Sequence, residues 1–349
     1  MTIKATIAAA FLAGLVPGTS HAIEPERDGQ ETFLSRAAWA GNRLWLLSDA
    51  GRLSSLAETD STPRSETAPE AVRDMCVSDG RLLALTATGK KPAAWTLRRH
   101  GADGWTTQAA IDARGEHVIS LICGNGNALI LTTKRLITLG ADAVSEVALD
   151  GELDWGLATT LITADTVYAG FNKGEWGGGL RAIDRRTGKI RLIENEDGEL
   201  CGGLLNTECD PVNGLAAVPW RPDCVAAAIG LVHMMAHGRI ATVCGASIKT
   251  LYSKPFGDKS PNPDLKPEDA YMTVPFFGLT AVGDRLLAVG GDGLYTIGET
   301  GAPEFEAMPA FKKAGPFRIS FARPGVVLVL TTVNQRHSVS GATPMLVVR

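Results

Sequence analysis

The chain has 349 residues, a net charge of −4, 39 glycines, 18 prolines and six cysteines. Both charge signs are interspersed and no basic block occurs, so nothing tracks a nucleic-acid backbone, and DNA or RNA is not an expected partner. Glycine, proline and small apolar residues favour many short strands joined by turns over long helices.

The first 22 residues read as a signal peptide. Lys4 supplies the positive end, residues 5–16 form a short apolar core, Pro17-Gly18 breaks it, and Ser20-His21-Ala22 offers small residues to a signal peptidase. A stretch of about 12 apolar residues is too short to span a bilayer. No other apolar run reaches spanning length, so the mature chain is expected to lack a transmembrane segment. It should begin at Ile23, form a single domain over residues 23–349, and reside in the periplasm or be secreted from a bacterium. Six cysteines in an exported chain read as disulfides. Cys201 and Cys209 bracket a Gly-rich loop. Cys224 and Cys244 fall opposite each other if residues 225–243 fold back as a hairpin. Cys76 and Cys123 remain, at matching places in successive repeats. The alternative is free thiols in a reducing compartment, and the signal peptide argues against it.

Past residue 31 a pattern recurs: an apolar strand, a turn, a stronger apolar strand, a loop and a third strand. Instances cover residues 37–56, 75–100, 119–139, 159–184, 213–252, 278–298 and 319–348. Seven units spaced by about 40 to 50 residues predict an all-β fold, a seven-bladed β-propeller. Asp79-Gly80, residues 124–127 and Gly283-Asp284 supply hairpin turns. The last unit ends on its third strand, so residues 23–31 are expected to add a fourth and close the ring. A pair of β-sandwiches would leave the seven similar units unexplained.

In such a blade the loops between second and third strands share a face with the connections between blades. The longest segments fall there: residues 172–179, 197–210, 233–238, 254–271 and 334–343. Long loops are uncommon unless they are functional or disordered. In the first, Trp176 offers a flat stacking surface, with Asn172, Lys173 and Glu175 as polar contacts and four glycines that permit close approach. That mix suits a protein or glycan ligand; the plainer alternative has Trp176 packed on its own blade. His233 and His237 can approach a metal with Glu175 or Asp210, or can be loop histidines with ordinary hydrogen bonds. Arg336, beside His337, marks an anion site or a solvated loop. No G-x-S-x-G elbow, H-E-x-x-H or P-loop occurs.

Residues 212–216, Val-Asn-Gly-Leu-Ala, followed by Pro219 and Asp223 before an apolar strand, resemble the blade start of bacterial exported propellers of the NHL/YVTN and gluconolactonase-like kinds. Val212 stands where that motif has proline. The resemblance implies a divalent cation, Ca²⁺ or Zn²⁺, held by Asn213. Two functional expectations result. The first is an exported binding module that needs no cofactor and presents the loop-rich face to a protein or glycan. The alternative is a metal-dependent hydrolase or lactonase of the gluconolactonase-like type, in which the cation polarises an ester and activates water. A quinone-dependent dehydrogenase ranks third, because no paired-cysteine or tryptophan floor for its cofactor can be placed.

Overall fold

The computed structural model describes residues 32–124, 127–140, 143–199, 201–233, 235–255, 272–308, 318–333 and 342–346. Every sheet is an antiparallel meander. Blade 1 runs from Thr32–Ala40 through Arg43–Ser48 and Leu53–Ala57 to Arg64–Glu66. The innermost strands of blades 2 to 6 are Ala71–Ser78, Val118–Gly124, Leu157–Ile162, Val212–Val218 and Phe276–Val282, each followed by three more strands. Neighbouring blades touch through these inner strands.

Burial explains the composition of each position. Second strands such as Arg81–Ala87 and Asn127–Thr132 are buried on both faces, because each blade is sandwiched between two others. Outer strands such as Val144–Ala148 and Glu304–Ala307 are largely exposed and carry glutamates. The core is therefore divided into layers between sheets. Leu85, Trp95, Ile130 and Ile137 fill the layer between blades 2 and 3. Val212, Ala227, Leu180 and Ile193 fill the layer between blades 4 and 5. Each fully buried leucine or isoleucine contributes roughly 1.5–3 kcal/mol, and no blade can gain this alone.

The expected count of seven blades is corrected to six. Among the described residues six sheets carry four strands or more. The remaining unit is a three-stranded sheet, Arg318–Ser320, Val326–Leu330 and Ala342–Leu346. Among the described residues no N-terminal strand completes it, and residues 23–31 lie outside the description. The first described strand is already committed. Thr32–Ala40 is the inner strand of blade 1, pairing with Arg43–Ser48 on one side, while Thr32 and Phe33 pair with Val333 and Thr332 on the other. The three-stranded unit packs Leu328 and Leu330 against Leu44 and Leu46 of blade 1.

All three disulfides form, and among the described residues no cysteine is free. Cys224 and Cys244 are direct cross-strand partners, with Cα atoms 4.4 Å apart. Cys76 and Cys123 sit on the inner strands of blades 2 and 3, 5.7 Å apart at Cα, so equivalent positions of adjacent blades do come within bonding range. No helix among the described residues is long and apolar enough to cross a membrane.

Candidate functional site

In a four-stranded antiparallel meander, the turn between second and third strands and the exit of the fourth strand emerge on the same side. The described loops at 173–179, 195–211 and 149–156 therefore share one face. Trp176 is 74% exposed there rather than packed on its blade, and Trp155 is 67% exposed on the connection between blades 3 and 4. Leu157 and Val232 add 42% and 64% exposed apolar side chains. Lys173 Nζ lies 2.8 Å from Asp154 Oδ2, which joins the loop bearing Trp176 to the segment bearing Trp155. Trp155 stacks on His117 at 4.8 Å between ring centroids, with the planes 12° apart. Trp155 and Val232 were missed in the sequence. Their signal was an aromatic or β-branched residue at a blade end, where the apolar pattern should stop.

The glycines of the Trp176 loop permit close approach, as expected, and it is the neighbouring loop that approaches. Gly174 to Trp176 form one 3₁₀ turn, opened by Asn172 Oδ1 accepting from Gly174 N at 2.8 Å. Gly177 and Gly179 have φ of +66° and +67°. A Cβ on Gly177 would stand 2.4 Å from the Thr207 carbonyl oxygen. Gly178 N donates to Thr207 O at 2.8 Å and Gly179 N to Asp210 O at 3.0 Å. The loop is thus laid backbone to backbone on the segment clipped by Cys201–Cys209, leaving Lys173, Glu175 and Trp176 exposed.

Asp210, 2% exposed, anchors that clip. It accepts from Asn206 N at 2.8 Å, pairs with Arg239, and lies 3.4 Å from His237 Nε2. His237 does meet Asp210, but it sits in the strand Met235–Cys244 opposite Leu231, where a six-residue loop was expected. The third member of the group is the Arg239 guanidinium, whose charge repels a cation. The side chain of His233 and residues 334–341, with Arg336 and His337, lie outside the described residues, as do residues 256–271.

Asn213 is bound into hydrogen bonds between blades. Its Oδ1 accepts from Asn172 Nδ2 at 2.5 Å, and its Nδ2 donates to Gly230 O at 2.8 Å and Phe276 O at 2.9 Å. Both amide N–H donors and one lone pair of Oδ1 tie blades 4, 5 and 6 together. Among the described residues no group of three or more His, Cys, Asp or Glu side chains gathers anywhere.

The axis holds a polar network that the sequence reading did not find. Arg36 of blade 1 donates from Nε to Asp74 Oδ1 at 2.6 Å and from Nη2 to Asp74 Oδ2 at 2.9 Å. The same Nη2 reaches Ser120 Oγ of blade 3 at 2.9 Å, and Ser120 meets Thr160 of blade 4 at 3.0 Å. Asp74, 4% exposed, also accepts from Met75 N at 2.8 Å and Leu121 N at 2.6 Å. Arg318 of the three-stranded unit donates to Ser35 O at 3.0 Å. Burial pushes the Arg318 guanidinium down to about 10, and the nearby Arg36 charge acts in the same direction. Arg36, Asp74 and Ser120 stand at the corresponding inner-strand position of blades 1 to 3, so superposing those repeats was the available signal.

No protein-family model and no curated protein sequence matches the chain. Solved structures show the fold. The BT4673 extracellular domain from B. thetaiotaomicron matches with a TM-score of 0.51 at 15% identity, over 86% of this chain. This chain spans only 37% of that one. YCF48 bound to D1 peptide matches with a TM-score of 0.55 at 12% identity, over 91% of this chain and 93% of that one. YCF48 from Cyanidioschyzon merolae matches with a TM-score of 0.52 at 10% identity, over 93% and 97%. The chain is a β-propeller. At these identities the likeness extends to the fold and no further.

Proposed function

We propose that this propeller is an exported binding module whose ligand, a protein segment or a glycan, docks on the face carrying Trp155 and Trp176. One observation carries the reading: two tryptophans at 67% and 74% exposure, with Leu157 and Val232, on a face where backbone and disulfide hold the loops in place. Exposed tryptophans on a rigid platform lose little conformational entropy on binding and bring a large apolar area, and tryptophan is enriched among residues that dominate interfaces. Lys173, Asp154 and Glu175 supply a charged rim. Three disulfides and the N-terminal segment support export. That one structural neighbour was solved with a peptide bound favours a peptide segment as the first ligand to try.

The test pans a displayed peptide library and a glycan array against the mature chain, then compares it with Trp155→Ala, Trp176→Ala and the double variant. Loss of a hot-spot tryptophan costs about 2 kcal/mol or more, roughly thirtyfold in affinity. Both singles should retain the melting temperature, since neither ring is buried. Ligands that bind the double variant as tightly as the parent would move the site elsewhere.

A further inference from the structure

Between the inner strands lies a cavity of about 150 Å³ whose lining includes Arg36, Arg318, Ser35, Thr159, Asn172 and Ser320. It draws residues from blades 1, 4, 5 and 6 and from the three-stranded unit, so it sits on the axis. Its charge is unbalanced. Asp74 is saturated: each of its oxygens accepts from Arg36 and from one backbone N–H. That pairing offsets Arg36, while Arg318 feels Asp74 and Asp49 only through space and pairs with neither. Among the described residues no carboxylate lies within ion-pair distance of Arg318, and its guanidinium donates one hydrogen bond, to Ser35 O. A guanidinium has five N–H donors in a planar fork that matches two oxygens of a carboxylate or phosphate. A half-buried positive charge with most donors unused, facing a cavity with hydroxyl and amide groups, is a site lacking its counter-ion.

We propose that the axial cavity binds one small oxyanion, a carboxylate or inorganic phosphate, on the Arg318 guanidinium, with Arg36 adding charge and the Thr159 and Ser320 hydroxyls adding donors. The net charge of the two arginines and Asp74 is one positive unit, which matches a monovalent anion. The volume sets the size class. Drug-sized ligands occupy about 300–1,000 Å³, so the part of the channel around Arg318 takes a group of a few heavy atoms, although a larger cavity of about 530 Å³ shares Arg36 and Ala37 with it. The cavity borders the tryptophan face through Leu157 and Asn172, but its charged residues, Arg36 and Arg318, belong to other strands, so loss of anion binding and loss of ligand binding at the tryptophans can be measured independently.

The probes are sodium acetate and sodium phosphate, compared with sodium chloride at equal ionic strength and pH, on the mature chain. Calorimetry should show saturable binding of one anion per chain, and the melting temperature should rise with anion concentration as linkage requires. The tighter of the two anions tells a carboxylate site from a phosphate site. Arg318→Gln should weaken binding at least tenfold. Arg318→Lys, which keeps the charge and loses the fork, should retain part of it and guards against a folding defect in the first variant. In the unaltered protein, the Arg318 side-chain N–H resonance should move saturably with the anion. A response no larger than that of chloride would mean a water-filled channel and overturn the proposal. Binding that survives both substitutions would overturn it equally.

Discussion

Asp74 and Asp210 are both buried carboxylates, each held by one arginine and by backbone N–H groups, yet they hold different things. Asp74 gathers strands from blades 1, 2 and 3 at the axis, where among the described residues no disulfide ties blade 1 to its neighbour. Asp210 gathers one connection and one strand at the rim of blade 5. That connection is also closed by Cys201–Cys209 and pinned under three glycines. The same chemistry is thus structural between blades in one place and local in the other. What decides is how far apart in sequence the partners are and what else holds them.

The sharpest way to break this contrast is Asp74→Ala. It strands the Arg36 guanidinium and leaves Met75 N and Leu121 N without acceptors. Breaking a buried pair costs about 3–5 kcal/mol, and because three blades share this carboxylate the loss should appear in global unfolding. Urea denaturation should show a lower midpoint with an unchanged slope. Asp210→Ala should cost less, about 1–3 kcal/mol, because Arg239 keeps the carbonyls of Leu204 and Gly203 as acceptors. Its signature is faster amide exchange over residues 202–210, with inner-strand protection retained. Equal midpoint losses in the two variants would erase the distinction.

The legibility of the two regions differs for the same reason. The repeat, the hairpin turns and the Cys224–Cys244 register are local: partners lie within about one blade, and period-2 patterning with turn residues reports them. The clip was legible from eight residues of spacing. The axial network was not. Arg36 and Asp74 are 38 residues apart, and Arg36 and Ser120 are 84 apart. Each is a polar residue in an otherwise mostly apolar strand, with Ser35 and Arg73 polar beside Arg36 and Asp74, so nothing in the strand alone singles it out. The blade count failed on similar ground. Among the described residues the last unit puts three strands in its own sheet, as its sequence suggested, but sends Thr332–Val333 to blade 1, and the pairing of Phe33 with Thr332 cannot be read from either end alone. Asn213 is the converse case: its motif was legible, and its hydrogen bonds across three blades were not.

The smallest expected effect lies where blades 1 and 2 meet, outside both carboxylate clusters. His100 is packed edge-on between Trp45 and Trp105, with ring centroids 4.8 and 4.9 Å away. Burial pushes its imidazole below the ordinary histidine value, with Glu66 opposing and Arg43 assisting. The sign follows from linkage. The unfolded chain binds the proton more readily, so the stabilisation from neutral His100 is complete above the unfolded value, about 6.5. It declines as pH falls through that value toward the depressed folded one. Partial exposure keeps the effect small. His100→Phe keeps an aromatic ring between the tryptophans and removes the proton site, so its melting temperature should fall less than the parent's between pH 7 and pH 5. An identical slope in parent and variant would assign the acid sensitivity of this boundary to other groups.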